Sequence, residues 1–180
     1  NYKFKKPLII YNYFTSNLEN KIINNSNKIK LNENSELTII EYNIGEKNKF
    51  LKNTFEEINL KEGSVLKNIT LQKNKFNGYF YKNINGSIEY NASYESYILS
   101  SGLKFNRFDI NIDLNEENSN CFILSGLFLD RGEHQEIKTK INHLAPNCKS
   151  FQKIKNVLDS DSIGVYQGKI FVKDIAQKTD

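Results

Sequence analysis

The sequence feature that most constrains the fold is an internal repeat of 27 to 29 residues. A small residue recurs six times at this spacing, and an apolar or aromatic pair two residues apart precedes it each time. The small residues are Ser35, Gly63, Ala92, Ser119, Cys148 and Ala176. The preceding pairs are Ile29/Leu31, Ile58/Leu60, Ile88/Tyr90, Ile112/Leu114, Ile141/His143 and Ile170/Val172. A fixed period of this size is typical of a protein that stacks one supersecondary unit many times.

Alternation inside each repeat predicts that the unit consists of strands. After the first four small residues, alternating runs resume at Leu37/Ile39, Val65/Lys67/Ile69, Tyr94/Ser96/Ile98 and Cys121/Ile123. A period of two sends one set of side chains inward and the other outward. No sustained helical stripe occurs between residues 28 and 145. The pattern predicts an all-β parallel β-helix or flattened β-solenoid, with an antiparallel β-sandwich as the alternative.

Composition places the chain among single-domain proteins and excludes two classes of partner. The 180 residues carry a net charge of +4, with no basic cluster denser than Lys3, Lys5 and Lys6, so nucleic-acid binding is not expected. No apolar run approaches the roughly 18 residues of a membrane span. The abundance of asparagine is interpreted as compositional bias. The Asn-rich stretch 17–28 is predicted to be a loop, which divides the chain into a lead-in segment, 1–27, and a core, 28–180.

Both ends of the sequence suggest a central fragment of a longer subunit. The chain begins at Asn1 rather than Met and stops at Asp180, four residues past the sixth small residue. An open solenoid end exposes unpaired strand edges. We therefore expect the isolated chain to self-associate through these edges.

The cysteines and histidines give only a weak case for a metal site. Cys121 and Cys148 are predicted to be buried, reduced and too far apart for a disulfide, and their spacing is not of the zinc type. His143 replaces the apolar member of its pair and is predicted to be a hydrogen-bonded structural histidine. A metal site with Cys148 is the alternative, although two ligands do not make a site.

Paired acids can serve glycoside hydrolysis or calcium binding, so the placement of the carboxylates bears on catalysis. Asp109 and Asp113 are predicted to share a strand face, and Asp130, Glu133 and Glu136 fall in one turn. No acid recurs in register on adjacent rungs, and no basic residue is expected beside them as a proton acceptor. The residues alone therefore favour a scaffold without catalytic machinery. A carbohydrate-active β-helix enzyme and an exported structural solenoid are the alternatives.

The last forty residues resemble the SufB/SufD family, the scaffold of the SUF complex for iron–sulfur cluster assembly. The similar stretches are His143-Leu-Ala-Pro-Asn-Cys-Lys-Ser-Phe-Gln, Lys155-Asn-Val-Leu-Asp159, Gly164-Val-Tyr-Gln-Gly-Lys-Ile-Phe-Val172 and Ala176-Gln-Lys-Thr-Asp180. Glu36–Glu41, Asn53, Glu57–Leu60, Leu71-Gln72 and Leu124–Phe128 extend the resemblance over 28–180. Within the family, His143-Leu-Ala-Pro and Tyr166-Gln-Gly-Lys are more similar to the SufD branch than to SufB.

The resemblance implies a right-handed parallel β-helix in a non-catalytic subunit of the cytoplasm, or of the plastid stroma in a eukaryote. Such a subunit pairs with SufB and is coupled to the SufC ATPase through a C-terminal region that this sequence does not contain. The iron–sulfur cluster is held transiently at the SufB–SufD interface of the full complex. No cofactor is expected on this chain alone.

Nine residues match family motif positions, and the predicted reason for most of them is structural. Pro146 is expected to fix a turn, Gly164 and Gly168 to permit bends, and Lys169 to extend along the solenoid edge. The full set is His143, Pro146, Ser150, Gly164, Gly168, Lys169, Gln177, Lys178 and Thr179.

Overall fold

The chain folds almost entirely into β-strands. The computed structural model describes residues 2–46, 48–73 and 77–177. No helix in these ranges is long and apolar enough to span a membrane. Short 3₁₀ turns lie at Ser16–Leu18 and Asp174–Ala176. The strands are β1 Leu8–Phe14, β2 Ile22–Leu31, β3 Glu36–Gly45, β4 Leu51–Leu60, β5 Val65–Lys73, β6 Tyr79–Ile88, β7 Ser93–Ser101, β8 Phe105–Leu114, β9 Asn120–Leu129, β10 His134–His143, β11 Lys149–Leu158 and β12 Ile163–Val172.

The strands form two six-stranded sheets in which every neighbouring pair is parallel. The odd-numbered strands, in the order β1-β3-β5-β7-β9-β11, make the odd sheet, and the even-numbered strands make the even sheet in the same progression. One odd and one even strand make a rung, and successive rungs stack in register, so that Leu60 lies between Leu31 and Ile88. The predicted β-solenoid is confirmed, and the antiparallel sandwich is wrong.

Alternation along each strand places one side-chain set inside the solenoid. In β8 the buried positions include Ile110, Ile112 and Leu114, while Asp109 and Asp113 point outward. The apolar core consists of such inward columns and runs the length of the described solenoid. Since parallel strands hydrogen-bond at every rung, each column is a line of residues one repeat apart.

One row of turns has a left-handed residue on five successive rungs. These turns join each even strand to the next odd strand, and we call this row the asparagine corner. Its left-handed residues are Asn34, Gly63, Asn91, Asn118 and Asn147, with φ between 53° and 63°. Asparagine and glycine adopt this conformation at little cost, whereas other side chains meet the following carbonyl oxygen. The asparagines therefore have a structural role that compositional bias does not capture.

The small residue after the left-handed position is buried on four of the five rungs and half-buried at Ser35, and the predicted list is wrong for one rung. The second small residue is Ser64, whose carbonyl accepts from the amide of Ser93 at 2.9 Å. Gly63 is the left-handed residue before it. This slip of one position reverses the predicted orientation of β5, because its buried residues are Leu66, Asn68, Thr70 and Gln72 rather than Val65, Lys67 and Ile69.

The third predicted apolar pair, Ile88/Tyr90, is also displaced, by two residues along the chain. Ile88 is the last residue of β6 and lies in register with Leu60 and Leu114, whereas Tyr90 is exposed in the following turn. The other member of the pair is Gly86. A Cβ atom there would lie 2.6 Å from Cδ1 of Ile112, because the Ile112 side chain occupies that space.

The loop that the sequence predicts over 17–28 is wrong from residue 22 onward. β2 begins at Ile22 and pairs with β4 along its full length, with Asn25 opposite Thr54. Polar inward residues are tolerated here because this part of the lumen is itself polar.

Substitution of Asn91 tests the asparagine corner. We expect Asn91→Val to lower the free energy of unfolding by about 1–2 kcal/mol, because a β-branched residue is strained at φ 53°. Asn91→Gly should stay within about 0.5 kcal/mol of the parent, because glycine adopts this conformation freely. Urea unfolding of the three proteins measures both values. Equal losses in the two variants would contradict the assigned conformation.

Candidate functional site

The segment that resembles the SufB/SufD family begins at the end of β10 and includes β11 and β12. Its first residue, His143, places an imidazole ring in the core. His143 ends β10 in the column of Leu114 and Val172, and it is 1 % exposed. Its Nε2 lies 2.9 Å from Oγ of Ser150 in β11. Its Nδ1 has no hydrogen-bond partner among the described residues. Burial holds the pKa of His143 below its ordinary value of 6.5, so the ring is neutral at pH 7.

Both cysteines are free thiols, both are buried, and each has its own neighbours. Sγ of Cys148 lies 3.2 Å from Oγ of Ser119 and donates to the carbonyl oxygen of Glu116 at 3.4 Å. Burial raises the pKa of Cys121 to about 12, which keeps that thiol protonated. His143 and Cys148 thus have different partners. In residues 2–46, 48–73 and 77–177, no three His, Cys, Asp or Glu side chains come together as a metal site.

The two glycines of β12 lie within a strand, so the predicted bends are wrong. A Cβ atom on Gly168 would lie 2.5 Å from the hydroxyl oxygen of Tyr166. That hydroxyl donates to Oε1 of Gln152 at 2.9 Å, and Oγ1 of Thr139 donates to the same atom at 2.5 Å. Gly168 therefore leaves room for the Tyr166 ring.

Gly164 has a similar role four residues earlier in the same strand. A Cβ atom there would lie 3.0 Å from both Nδ2 of Asn156 and Cδ2 of Leu158. The two glycines thus allow close packing at the end of the solenoid rather than a change of chain direction.

The remaining motif residues are spread over the surface of this end. Pro146 lies in the turn between β10 and β11, as predicted. Lys169 is exposed beside Lys140 on the outward face of the even sheet, and Gln177 is exposed after the second 3₁₀ turn. Lys178 and Thr179 lie outside the described residues.

A second polar cluster, which we call the charge quartet, lies inside the first three rungs. It consists of Glu41, Lys52, Glu56 and Lys82. Nζ of Lys82 contacts Oε2 of Glu41 at 3.0 Å and Oε2 of Glu56 at 3.1 Å. Nζ of Lys52 lies 3.3 Å from Oε1 of Glu41. All four side chains are at least 87 % buried, and two positive charges balance two negative ones.

Neutral partners complete the coordination of the quartet. Asn12 and Asn68 donate to Glu41 and Glu56 at 2.8 and 3.1 Å respectively. The Lys52 ammonium also lies over the Phe14 and Phe80 rings, 5.3 and 5.4 Å from their centroids. A cavity of about 20 Å³ between these groups is large enough for one water molecule.

Burial and charge compete in setting the ionisation of the quartet. Burial favours a neutral Glu41, but attraction by Lys82 and Lys52 outweighs it and lowers the pKa to about 2. For Lys82, burial favours the neutral amine, yet Glu41 and Glu56 together hold its pKa above the usual value. Burial, the larger effect at Lys52, lowers the pKa of that ammonium despite its attraction to Glu41. The Glu41–Lys82 pair thus remains charged at neutral pH despite its depth in the solenoid.

Sequence reasoning missed the quartet, although a signal was present. Ile58 and Leu60 were correctly assigned inward, and counting back by two along the same strand places Glu56, Thr54 and Lys52 inward as well. Charged residues at inward positions indicate a buried ion-pair network, because an isolated charge there would be too costly.

The outward carboxylates of the even sheet are engaged in ion pairs. Arg107 lies beside Asp109, with Nε 3.0 Å from Oδ1, and its Nη1 is 3.1 Å from Oε2 of Glu136. Tyr81 donates to Asp109 at 2.6 Å. Arg107 is therefore a basic residue beside these acids, where none was expected as a proton acceptor. A guanidinium remains protonated, so it neutralises the acid rather than accepting its proton.

The geometry defines a class of protein, a parallel β-solenoid with a buried ion-pair cluster and no clustered metal ligands among the described residues. The chain belongs to the family described as SUF system FeS cluster assembly, SufBD core domain, whose sequence profile matches residues 13–180. The protein is thereby a component of SUF iron–sulfur cluster assembly. No curated protein matches the chain.

Substitutions of His143 and Ser150 test whether the histidine has a packing role and a hydrogen bond to Ser150. Leucine occupies this column at Leu31, Leu60 and Leu114, so His143→Leu should change the free energy of unfolding by less than about 1 kcal/mol. Ser150→Ala should cost about 1–3 kcal/mol, because it leaves a buried ring nitrogen unpaired. Combining the two substitutions should remove most of that cost. A Ser150→Ala loss that persists in the His143→Leu background would contradict the hydrogen bond.

The same histidine should affect stability as a function of pH. Below pH 6.5 the unfolded imidazole binds a proton that the buried ring resists, so His143 reduces stability as pH falls through this region. Urea unfolding between pH 7 and pH 5 should show a loss in the parent that is smaller in His143→Leu. Identical pH profiles would mean that His143 is not buried and neutral.

Removing one cation of the quartet should be costly. Lys82→Met leaves Glu56 without its ammonium partner, and we expect a loss of about 3–5 kcal/mol in the free energy of unfolding. Lys67→Met is the matched control, because Lys67 pairs with Glu95 at 3.4 Å on the outside and should lose less than about 1 kcal/mol. Comparable losses would show that the quartet is solvated.

Acid should destabilise the quartet over a defined range. The pKa of Glu41 is about 2 in the folded protein and 4.5 in its ordinary state, so its contribution is complete above pH 4.5 and disappears toward pH 2. The free energy of unfolding should therefore fall between pH 4.5 and pH 2, and less steeply in Glu41→Gln. An unchanged slope in Glu41→Gln would exclude this carboxylate as a source of the acid sensitivity.

Proposed function

We propose that the chain is a SufD-type, non-catalytic scaffold subunit that pairs with SufB and is coupled to the SufC ATPase. The observation that supports this most is the coincidence of the family match, residues 13–180, with the stacked solenoid. The stretches that resemble the SufD branch lie at the end of β10 with its following turn and within β12, and β12 pairs with β10. The iron–sulfur cluster is the cargo of the complex rather than a resident group of this chain.

The chemistry of the described side chains favours a scaffold over a carbohydrate-active enzyme. Asp109 is held by Arg107 and Tyr81, and its pKa stays below the usual value because these hydrogen bonds outweigh the effect of burial. Asp113 accepts from Asn142 at 2.6 Å. An acid that donates a proton to a glycosidic oxygen needs a raised pKa. Asp109 and Glu41 both have lowered pKa values instead.

A scaffold also needs rigidity, and the ladders supply it. Every interior strand is hydrogen-bonded on both edges, and the inward columns are continuous across rungs. Motion applied at one end is therefore transmitted along the solenoid as a rigid-body displacement. In this proposal, SufC motion reaches the SufB interface in that way, in the cytoplasm or plastid stroma.

Reconstitution with purified partners tests the proposal. The chain is mixed with SufB–SufC or SufD–SufC and analysed by size exclusion with light scattering. We expect a stoichiometric complex with SufB–SufC and none with SufD–SufC. Association with SufD–SufC alone would assign the chain to the SufB branch, and association with neither would overturn the proposal.

The same instrument tests the predicted self-association of the chain alone. Strands β1 and β2 at one end, and β11 and β12 at the other, have a neighbour on only one side within the described ranges. The mass should rise with protein concentration. A monomeric mass across a wide concentration range would contradict pairing through these edges.

A further inference from the structure

The outward face of the odd sheet is apolar, which is unusual for a surface that no described residues cover. We call this surface the apolar outer face. Leu99 and Phe128 are 55 % and 53 % exposed on it. The even sheet offers an internal comparison, because the outward positions of β6 and β8 are mainly amides, acids and an arginine joined by hydrogen bonds. The six large residues at the centre of the apolar outer face are Tyr42, Leu71, Tyr97, Leu99, Leu124 and Phe128.

Two adjoining hollows give this face the shape of a groove. They lie on either side of Leu99, and each has a volume of about 350 Å³. Tyr42 and Leu71 line one hollow, whereas Tyr97 and Leu124 line the other. Gly126 deepens the second hollow, because a Cβ atom there would lie only 3.1 Å from Cδ2 of Leu99.

The groove crosses the strands rather than following one of them. Tyr42, Leu71, Leu99, Gly126 and Lys155 are successive register partners from β3 to β11. Four intervals of about 4.8 Å give a length of roughly 19 Å. This is the length of about 13 residues of α-helix.

The charges around the groove are mostly positive. The outward positions of β3 to β11 carry five lysines and two glutamates, a net charge of +3. Glu36 pairs with Lys3, and Glu95 pairs with Lys67. Lys73, Lys153 and Lys155 have no carboxylate partner among the described residues. Two copies placed face to face would bring these positive charges together, so the charge pattern disfavours a second copy as the occupant.

We propose that the apolar outer face binds an amphipathic α-helix whose apolar stripe is flanked by acidic residues. Parallel sheets with two apolar faces are covered by helices in layered folds. A helix with apolar residues at i, i+3, i+4 and i+7 presents a stripe that fits the groove. Acidic flanks would pair with Lys73, Lys153 and Lys155. The inference depends on this surface alone and not on membership of the SUF complex.

The proposal is tested with two synthetic helices that differ only in charge. Each has 14 residues, capped ends and leucines at i, i+3, i+4 and i+7 spacing, with glutamate or lysine at the flanking positions. Glutamate and lysine have similar helix propensities, so charge is the variable. Isothermal titration calorimetry should show the acidic peptide binding at least about tenfold more tightly at low salt. The difference should shrink at 1 M salt, where the Debye length is about 3 Å.

Variants of the chain locate the binding. Leu99→Asp should weaken the acidic peptide at least about tenfold. Phe55→Asp is the matched control, because Phe55 is also exposed but lies on the even sheet, and it should leave binding unchanged. The double variant Lys153→Glu/Lys155→Glu should reverse the preference toward the basic peptide. Circular dichroism and urea unfolding establish that each variant is folded.

Several results would overturn the proposal. They are no binding of either peptide, equal affinity for both, or binding that Leu99→Asp leaves unchanged. A dimer that forms in the parent and is abolished by Leu99→Asp would assign the apolar outer face to a second copy instead. An unchanged preference in the double lysine variant would also refute the role of charge.

Discussion

Each rung of the solenoid is positioned by hydrogen bonds between parallel strands, so every inward side chain lies between its counterparts one repeat earlier and one repeat later. This stacking decides which residues share a column and hence what each position tolerates. The left-handed residues of the asparagine corner lie three or four residues after the ends of β2, β4, β6, β8 and β10. Gly63 takes the place of asparagine on one rung without altering the register. All other features of the structure depend on this alignment.

The chemistry of the interior that results changes along the strands. Beside the asparagine corner the columns are aliphatic, with Leu60 and Leu114 as members. Farther along the strands the lumen becomes polar and contains the charge quartet. Because any rung that slips would separate Lys82 from Glu41 and Glu56, the quartet penalises wrong registers. This arrangement suits a scaffold, because the positions of its outer surfaces are set by the positions of its rungs.

The repeat period and the strand alternation predicted the fold correctly, because both follow from residues that recur one rung apart. The errors arose where one residue can be assigned to two positions. Gly63 is small enough for the corner slot, yet its flexibility serves the left-handed position, and Ser64 fills the slot. Gly86 was overlooked because its space is filled by Ile112 from the next rung.

The candidate site was less predictable than the fold. His143, Cys148 and Ser150 were singled out from sequence, but the distances that separate their partners required the structure. The charge quartet unites residues from three strands, and only the exact inward phase of each strand reveals it. The apolar outer face was missed for the same reason, since the slip at Gly63 assigned Val65, Lys67 and Ile69 to the inside, and Leu71 follows in the same alternation.

Register is most directly tested with engineered disulfides on the outside of the even sheet. Asn85 and Asn111 are register partners, and Nδ2 of Asn111 donates to Oδ1 of Asn85 at 3.2 Å. Stacked rungs place their Cα atoms about 4.8 Å apart, within the range of a disulfide, whereas residues two positions out of register exceed the limit of about 7 Å. The native cysteines are buried and do not compete. Mild oxidation followed by mass spectrometry should therefore link Asn85→Cys/Asn111→Cys and leave Asn83→Cys/Asn111→Cys reduced. The opposite result would mean that the rungs do not stack in this register, and the assigned columns, the quartet and the apolar outer face would all be contradicted.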